Sequence, residues 1–185
     1  PIVPRQWGEI ELITTAYGHG IAASPMHLAS VYATIANGGV RVTPTLLHDV
    51  PHAVGPRLMS EHTAKSAISM LRGVVQHGTA TLGDVAGYEV AGKTGTAEKP
   101  SKTGGYDHDR VVNTFAAIFP ASDPKYVLIV TLDEPVETSG PEPRRTAGWT
   151  AVPVAAEIIR RTAPLLGLRP NGDTTPLDAA PEIPE

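Results

Sequence analysis

Residues Gly87-Tyr88-Glu89-Val90-Ala91-Gly92-Lys93-Thr94-Gly95-Thr96-Ala97-Glu98 fit two chemical motifs that demand different structures. Read from Gly87 they spell G-x-x-x-x-G-K-[ST], the loop that cradles phosphate, and the run Tyr126 to Leu132 even supplies an apolar strand ending in Asp133 and Glu134. Read from Lys93 they spell Lys-Thr-Gly, a motif carried on a strand beside a serine nucleophile. The local pattern separates the two. A phosphate loop needs an apolar strand before its first glycine and a helix starting at the lysine, whose N-terminus faces the phosphate. Here Thr81 to Ala86 is a poor strand, while Tyr88 and Val90 are strand formers alternating with Glu89 and Ala91. After Lys93 come Thr94, Gly95, Thr96, Pro100, Thr103, Gly104 and Gly105, weak helix formers or breakers without an apolar 3.6-residue period. The strand reading stands, and Lys93, Thr94, Gly95 and Thr96 become the candidate site residues. Three common residues occur often by chance, so the elements around them must carry part of the argument.

Those elements are legible. Ser24 to Asn37 reads as a helix with Ser24 as N-cap, Pro25 in the first turn and Gly38-Gly39 past its end; Leu28, Val31, Tyr32 and Ile35 form its apolar face. A second helix runs from Ser60 to about Val75 with Ala64, Ile68, Leu71 and Val75 on one face, and His77-Gly78-Thr79 ends it. From Tyr88 the period becomes that of strands: Tyr88 to Glu98, Val111 to Phe119 and Tyr126 to Leu132, the last two joined tightly through Pro120 to Pro124. This predicts an antiparallel meander. The nearly continuous apolar character of Tyr126 to Leu132 implies burial on both faces, so helices should cover the sheet on each side. Thr150 to about Leu166 supplies one cover, with Thr150 as N-cap, Val154, Ile158, Ile159 and Thr162 at helical spacing, and Pro164 as its stop. The fold class is therefore α+β, an antiparallel sheet flanked by helices, over residues 1 to 168. The acidic, Pro-rich segment from Arg169 to Glu185 has the composition of a disordered tail.

Composition bounds the function. With 185 residues, 41% of them hydrophobic, and a formal charge of −4, the chain can bury one core and lacks the basic excess of a nucleic-acid binder. No cysteine is present, so no disulfide framework exists. No apolar stretch reaches the roughly 20 residues of a membrane helix. The start at Pro1 without a methionine suggests a segment of a longer protein. His48 and His52 stand four apart, but Pro51 opposes a helix between them and few further ligands lie near, so neither a metal nor a cofactor is expected. Tyr106-Asp-His108 reads as a mobile loop near the site rim, and Glu98 as a solvated strand end.

Several separated motifs agree with one family. Tyr17-Gly-His-Gly20, Ser24-Pro-Met-His-Leu28, Ala33 to Gly39, Ala91 to Glu98, Asn113 to Pro120, Asp123-Pro-Lys125, Leu132 to Pro135 and Gly148 to Pro153 together resemble the C-terminal half of the transpeptidase domain of class B penicillin-binding proteins, in particular the septal, division-type branch. The resemblance spans about residues 6 to 168. His27, where the family has Gln, and Trp149, in the segment after the last strand, depart from it in detail. Two larger departures concern chemistry. The family's Ser-x-x-Lys and Ser-x-Asn motifs both lie N-terminal to such a segment; Ser122-Asp-Pro-Lys125 spells the first but falls in a turn after the Lys-Thr-Gly strand, and Ser-x-Asn does not occur.

The resemblance implies an incomplete transpeptidase (serine β-lactamase-like) fold and the following chemistry. A serine outside this chain attacks the penultimate D-Ala carbonyl of a peptidoglycan stem peptide, and an amine of a second peptide resolves the acyl-enzyme. The Lys93 strand pairs with the extended peptide ending in D-Ala-D-Ala. Thr94 and Thr96 hydroxyls bind the terminal carboxylate, the Thr96 N–H is one oxyanion-hole donor, Gly95 leaves room for the substrate backbone, and Lys93 supports proton transfer electrostatically. Partners implied are the stem peptide, β-lactams that mimic it, the other half of the domain and other division proteins. An N-terminal membrane helix would place the domain in the periplasm. Alternatives are a β-lactamase or D,D-carboxypeptidase, and a non-catalytic β-lactam sensor or peptidoglycan-binding module. An unfilled sheet edge along Tyr126 to Leu132 would favour self-association or association with the other half.

Overall fold

The computed structural model describes residues 1–47, 54–101 and 103–171, so His48, His52 and most of the C-terminal segment, residues 172–185, lie outside it. Its elements are α1 (Glu9–Ala16), α2 (Pro25–Ala36), α3 (Glu61–His77), a 3-10 turn (Thr81–Gly83), β1 (Ala91–Pro100), β2 (Tyr106–Phe119), β3 (Tyr126–Asp133) and α4 (Ala151–Thr162). The strands form an antiparallel meander in the order β1-β2-β3, with helices on both faces. The mixed α+β architecture follows from helical and strand periodicities that occupy separate stretches of the chain.

The central strand sets the layers. Along β2, Phe115, Ala117 and Phe119 point to one side, where they pack with Val75 of α3 and with Val152, Ala155, Ala156 and Ile159 of α4. Ala116 and Ile118 point to the other side, against Tyr32, Leu28 and Ile35 of α2 and Ile68 and Leu71 of α3. β3 repeats the alternation, with Leu128, Val130 and Leu132 toward α4 and Val127 and Ile129 toward α2. Two-sided burial of the strand that reads as continuously apolar is thus realised by one helix on each face.

Both predicted helix starts are made by serine. Ser24 accepts from the His27 N–H at 3.3 Å and Ser60 from the Thr63 N–H at 3.0 Å, satisfying donors that have no partner within the helix. α3 runs to His77, two residues beyond the expected Val75, and ends at Gly78.

The structure corrects several expectations. The segment before Lys93 is strand only from Ala91: Gly87 and Glu89 have positive φ (84° and 44°), and Tyr88 and Val90 reach the core from a turn rather than from a pleat. Glu89 ties this turn to the β2–β3 connection, its carbonyl accepting from Ala121 N–H at 2.8 Å and its carboxylate from Ser122 N–H at 3.2 Å. Tyr106, Asp107 and His108 belong to β2 and are not a loop: Tyr106 and Asp107 pair with Pro100 and Lys99 at the end of β1, and His108 lies in the register shift opposite Glu98/Lys99. The buried face of α4 is Ala151, Val152, Ala155, Ala156 and Ile159; Val154 is exposed, because alanines, silent in a search for large apolar residues, allow the close approach to the sheet. Thr150 does not cap α4 through its side chain, since its hydroxyl serves the buried Asn113 instead. Val31 of α2 is also exposed, and α1, whose residues are all at least partly accessible, was not anticipated. Arg169 to Asn171, the first residues of the expected tail, are described, and the Asn171 N–H donates to the Gly87 carbonyl at 2.8 Å; the rest of that segment lies outside the described residues.

Gly92 shows how close the layers come. A Cβ there would lie 2.6 Å from both the Ala116 carbonyl oxygen and Cζ of Phe115. Gly92→Ala is expected to destabilise the chain by about 1–3 kcal/mol through overpacking, read as a lowered midpoint in thermal unfolding; an unchanged midpoint would show that the strand can move away from Phe115.

Candidate active site

β1 carries the four candidate residues on alternating faces. Thr94 and Thr96 share one face and line a cleft of about 470 Å³ with Thr79, Leu82, Ala147 and Trp149. Lys93 and Gly95 start from the opposite face. The Lys93 ammonium nonetheless donates to the Thr94 carbonyl at 2.8 Å and to Thr94 Oγ1 at 3.3 Å. To reach a hydroxyl on the other face, the side chain must pass around an edge of the strand, and β2 fills one edge. It therefore passes around the other, which no described strand pairs. The Thr94 carbonyl points to that free edge, and by the antiparallel alternation so do the N–H and C=O of Thr96.

The hydroxyls of Thr94 and Thr96 each have a partner that sets the role. Thr94 Oγ1 lies 2.7 Å from Thr79 Oγ1, just past the end of α3. Thr96 Oγ1 accepts from the Ala147 N–H at 3.1 Å, which occupies a lone pair and leaves the hydroxyl proton available to a ligand. Ala147 is held there from the core: the fully buried Asn113 donates to the Arg145 carbonyl at 2.6 Å and to Thr150 Oγ1 at 2.7 Å, bracketing the segment that contains it. Trp149 forms the outer wall, with the Arg144 guanidinium 3.9 Å from its ring centroid. A Cβ on Gly95 would meet only the Thr114 carbonyl oxygen, at 3.9 Å, so the fold itself has no need of glycine at that position.

The structure thus brings Lys93, Thr94, Gly95 and Thr96 together at one accessible strand edge, as the sequence predicts, and the strand continues through them to Pro100, which rules out the phosphate loop. Thr79, Ala147, Trp149 and Arg144 were missed. Gly78-Thr79 reads in the sequence only as a helix stop, and a backbone N–H donor leaves no trace in residue type. Ser122 and Lys125 lie in the turn between β2 and β3, where Lys125 ion-pairs with Asp123 at 2.9 Å and the Ser122 N–H donates to the Glu89 carboxylate at 3.2 Å. Among the described residues no group of three or more His, Cys, Asp or Glu could hold a metal, and no helix is long and apolar enough to cross a membrane.

Charge gathers at the far end of the meander. Lys99 pairs with Asp133 and, at 2.8 Å, with Glu134, which raises the lysine pKa; Lys99 and Arg110 lower that of Glu134. Glu98 is not merely solvated: its carboxylate meets His108 Nδ1 at 2.6 Å, and that hydrogen bond raises the His108 pKa above the ordinary value.

Comparison with known proteins now identifies the class. The model of the penicillin-binding-protein transpeptidase domain matches residues 2–160. The probable peptidoglycan D,D-transpeptidase FtsI of Caulobacter vibrioides is 36% identical over 98% of this chain and 33% of its own length, and penicillin-binding protein PbpB of Mycolicibacterium smegmatis is 34% identical over 84% and 27%. Among solved structures, the apo transpeptidase domain of Burkholderia pseudomallei penicillin-binding protein 3 superposes with a TM-score of 0.78 at 35% identity, covering 94% of this chain and 52% of that one. Penicillin-binding protein 3 of Mycobacterium tuberculosis complexed with ampicillin gives 0.74 at 31%, covering 94% and 42%. The chain belongs to the penicillin-binding-protein transpeptidase family, in its class B, FtsI-like branch, and is a partial domain of it. It spans about a third of the length of the curated relatives it matches.

The His108 shift has a direct test. Its folded pKa lies above the unfolded value, so the stabilisation from the pair is fully present below about pH 6.5 and is lost as pH rises through the folded pKa. NMR titration should return His108 toward its ordinary pKa in Glu98→Gln; an unmoved titration would mean that Asp107 and Asp109 set the shift.

Proposed function

We propose that this chain is the C-terminal segment of a peptidoglycan D,D-transpeptidase, supplying the substrate-aligning strand to a serine nucleophile carried elsewhere in the parent protein. The observation that carries the reading is the free edge of β1, where an ammonium, a hydroxyl with an unused proton and outward backbone groups converge. An extended stem peptide adds to that edge as a further strand, and its main-chain hydrogen bonds align the scissile D-Ala bond. The Thr96 N–H stabilises the oxyanion that develops when the serine attacks, a contribution of about 3 kcal/mol in comparable sites. Thr94 and Thr96 hydroxyls take the terminal carboxylate, and the Lys93 charge, strengthened once the peptide excludes water, supports both the carboxylate and proton movement to and from the serine. β-Lactams enter as mimics of the D-Ala-D-Ala end, consistent with the relatives whose structures hold ampicillin and aztreonam. In the parent, an N-terminal membrane helix places the domain on the periplasmic side of the inner membrane, among division proteins.

Intact-mass detection of a penicilloyl adduct tests the reading. The parent should gain one adduct and this chain by itself none; a parent that stays unlabelled would make the chain a binding or sensor module. In the parent, Gly95→Val should lower acylation by about 100-fold, as small misplacements at a reacting centre do, while thermal stability stays within about 1 kcal/mol because valine favours strands and meets open space.

The second edge of the sheet supports a further part of the proposal. β3 has no strand partner on its outer side among the described residues, and Val127, Leu128 and Ile129 are only half-buried. Such an edge pairs with another chain. The isolated chain should sediment as concentration-dependent oligomers and become monomeric when bound to the rest of the domain; a monomer at high concentration would sink the idea.

A further inference from the structure

Among the cleft hydroxyls to which neither the sequence motif nor the proposed chemistry assigns a task, that of Thr79 is the one hydrogen-bonded to a residue of the motif. Its recorded side-chain partner is Thr94 Oγ1, at 2.7 Å. It is exposed, caps no helix and packs into no core, so a purely structural role has little to rest on. Its backbone, by contrast, is fixed. Gly78 ends α3 immediately before it, Ala80 immediately after it is fully buried, and a Cβ on Gly148 would lie 2.6 Å from the Thr79 carbonyl oxygen. The hydroxyl is therefore held against Thr94 by elements at both of its flanks.

Donor and acceptor counting allows that hydrogen bond to run in either direction. The Lys93 ammonium can only donate, and at 3.3 Å it takes one of the two acceptor positions on Thr94 Oγ1. Thr94 has one proton, and an acceptor within reach is Thr79 Oγ1. The arrangement in which Lys93 donates to Thr94 and Thr94 to Thr79 is thus one of two that the geometry permits. A carboxylate arriving at the cleft competes for the Thr94 proton, and a hydrogen bond to a charged oxygen is roughly twice as strong as one between two hydroxyls. When the Thr94 proton turns to the ligand, Thr79 can rotate and donate its own proton to the oxygen it has been accepting from.

We propose that Thr79 is a positioning residue for carboxylate recognition: it orients the Thr94 hydroxyl in the empty site and, by reversing its own hydrogen bond, releases the Thr94 proton to the ligand carboxylate. No bond to carbon forms or breaks; only the direction of two O–H groups changes. The inference rests on the transpeptidase reading of the site. It predicts that Thr79 matters for ligands in proportion to their negative charge at that end, and not for the acyl transfer itself.

The test uses the parent protein and two acylating probes, benzylpenicillin and its methyl ester, followed by intact mass. Thr79→Val keeps the shape and removes the hydroxyl. It should raise the half-saturating concentration of benzylpenicillin by about 3- to 12-fold, the size of one net hydrogen bond between neutral groups, with the maximal acylation rate unchanged. The same variant should acylate with the methyl ester as the wild type does, and Thr79→Ser should stay within about 2-fold of wild type for both probes. Equal loss for acid and ester, no loss at all, or a serine variant as weak as the valine one would overturn the proposal. A wild-type parent that neither probe labels would instead overturn the transpeptidase reading beneath it.

Discussion

Burial of β2 on both faces is the constraint from which the rest of the structure follows. A strand with Phe115, Ala117 and Phe119 on one side and Ala116 and Ile118 on the other requires a helical layer above and below, and its pairing along both edges puts it in the middle of the sheet. β1 and β3 are then its two neighbours, and each keeps one edge that β2 does not use. The free edge of β1 is thus a consequence of where the hydrophobic surface lies. The same strand reaches the site by a second route. Asn113, on β2 and fully buried, must be hydrogen-bonded, and its amide satisfies itself on Arg145 and Thr150. This fixes the segment between them, which presents Ala147 N–H to Thr96.

Two glycines three residues apart on β1 illustrate the division between stability and chemistry. Gly92 and Gly95 belong to one strand, yet a methyl group on the first collides with backbone and aromatic carbon, while on the second it meets almost nothing. Close packing accounts for the first. For the second the chain offers no internal reason, and a requirement for glycine there can come only from something that approaches the strand from outside. That asymmetry agrees with the reading of the free edge as a place where a peptide is laid down.

The apolar surface of the partial domain has a direction. The interior between β2, α3 and α4 is filled, whereas Ile10, Leu12 and Ile13 of α1 are exposed, as are Val154 of α4 and one edge of β3. Surfaces of this kind are interfaces in larger assemblies. They fit a domain whose solved relatives are about twice as long as the region matched here.

Local chemistry in the sequence sufficed for the serine caps of α2 and α3, the α+β class, the antiparallel meander and the strand carrying Lys93, Thr94, Gly95 and Thr96. These depend on neighbours within a few residues, so periodicity and turn chemistry report them directly. The alanine face of α4 and the turn that buries Tyr88 and Val90 escaped, because small residues carry little hydrophobic signal and a positive φ at Glu89 is not written in its side chain. The sequence determined by itself which residues could do the chemistry. Only tertiary structure decided what surrounds them, since Thr79 and the Ala147–Trp149 segment come from two distant places in the chain and meet at Thr94 and Thr96 through packing on a strand that lies elsewhere again.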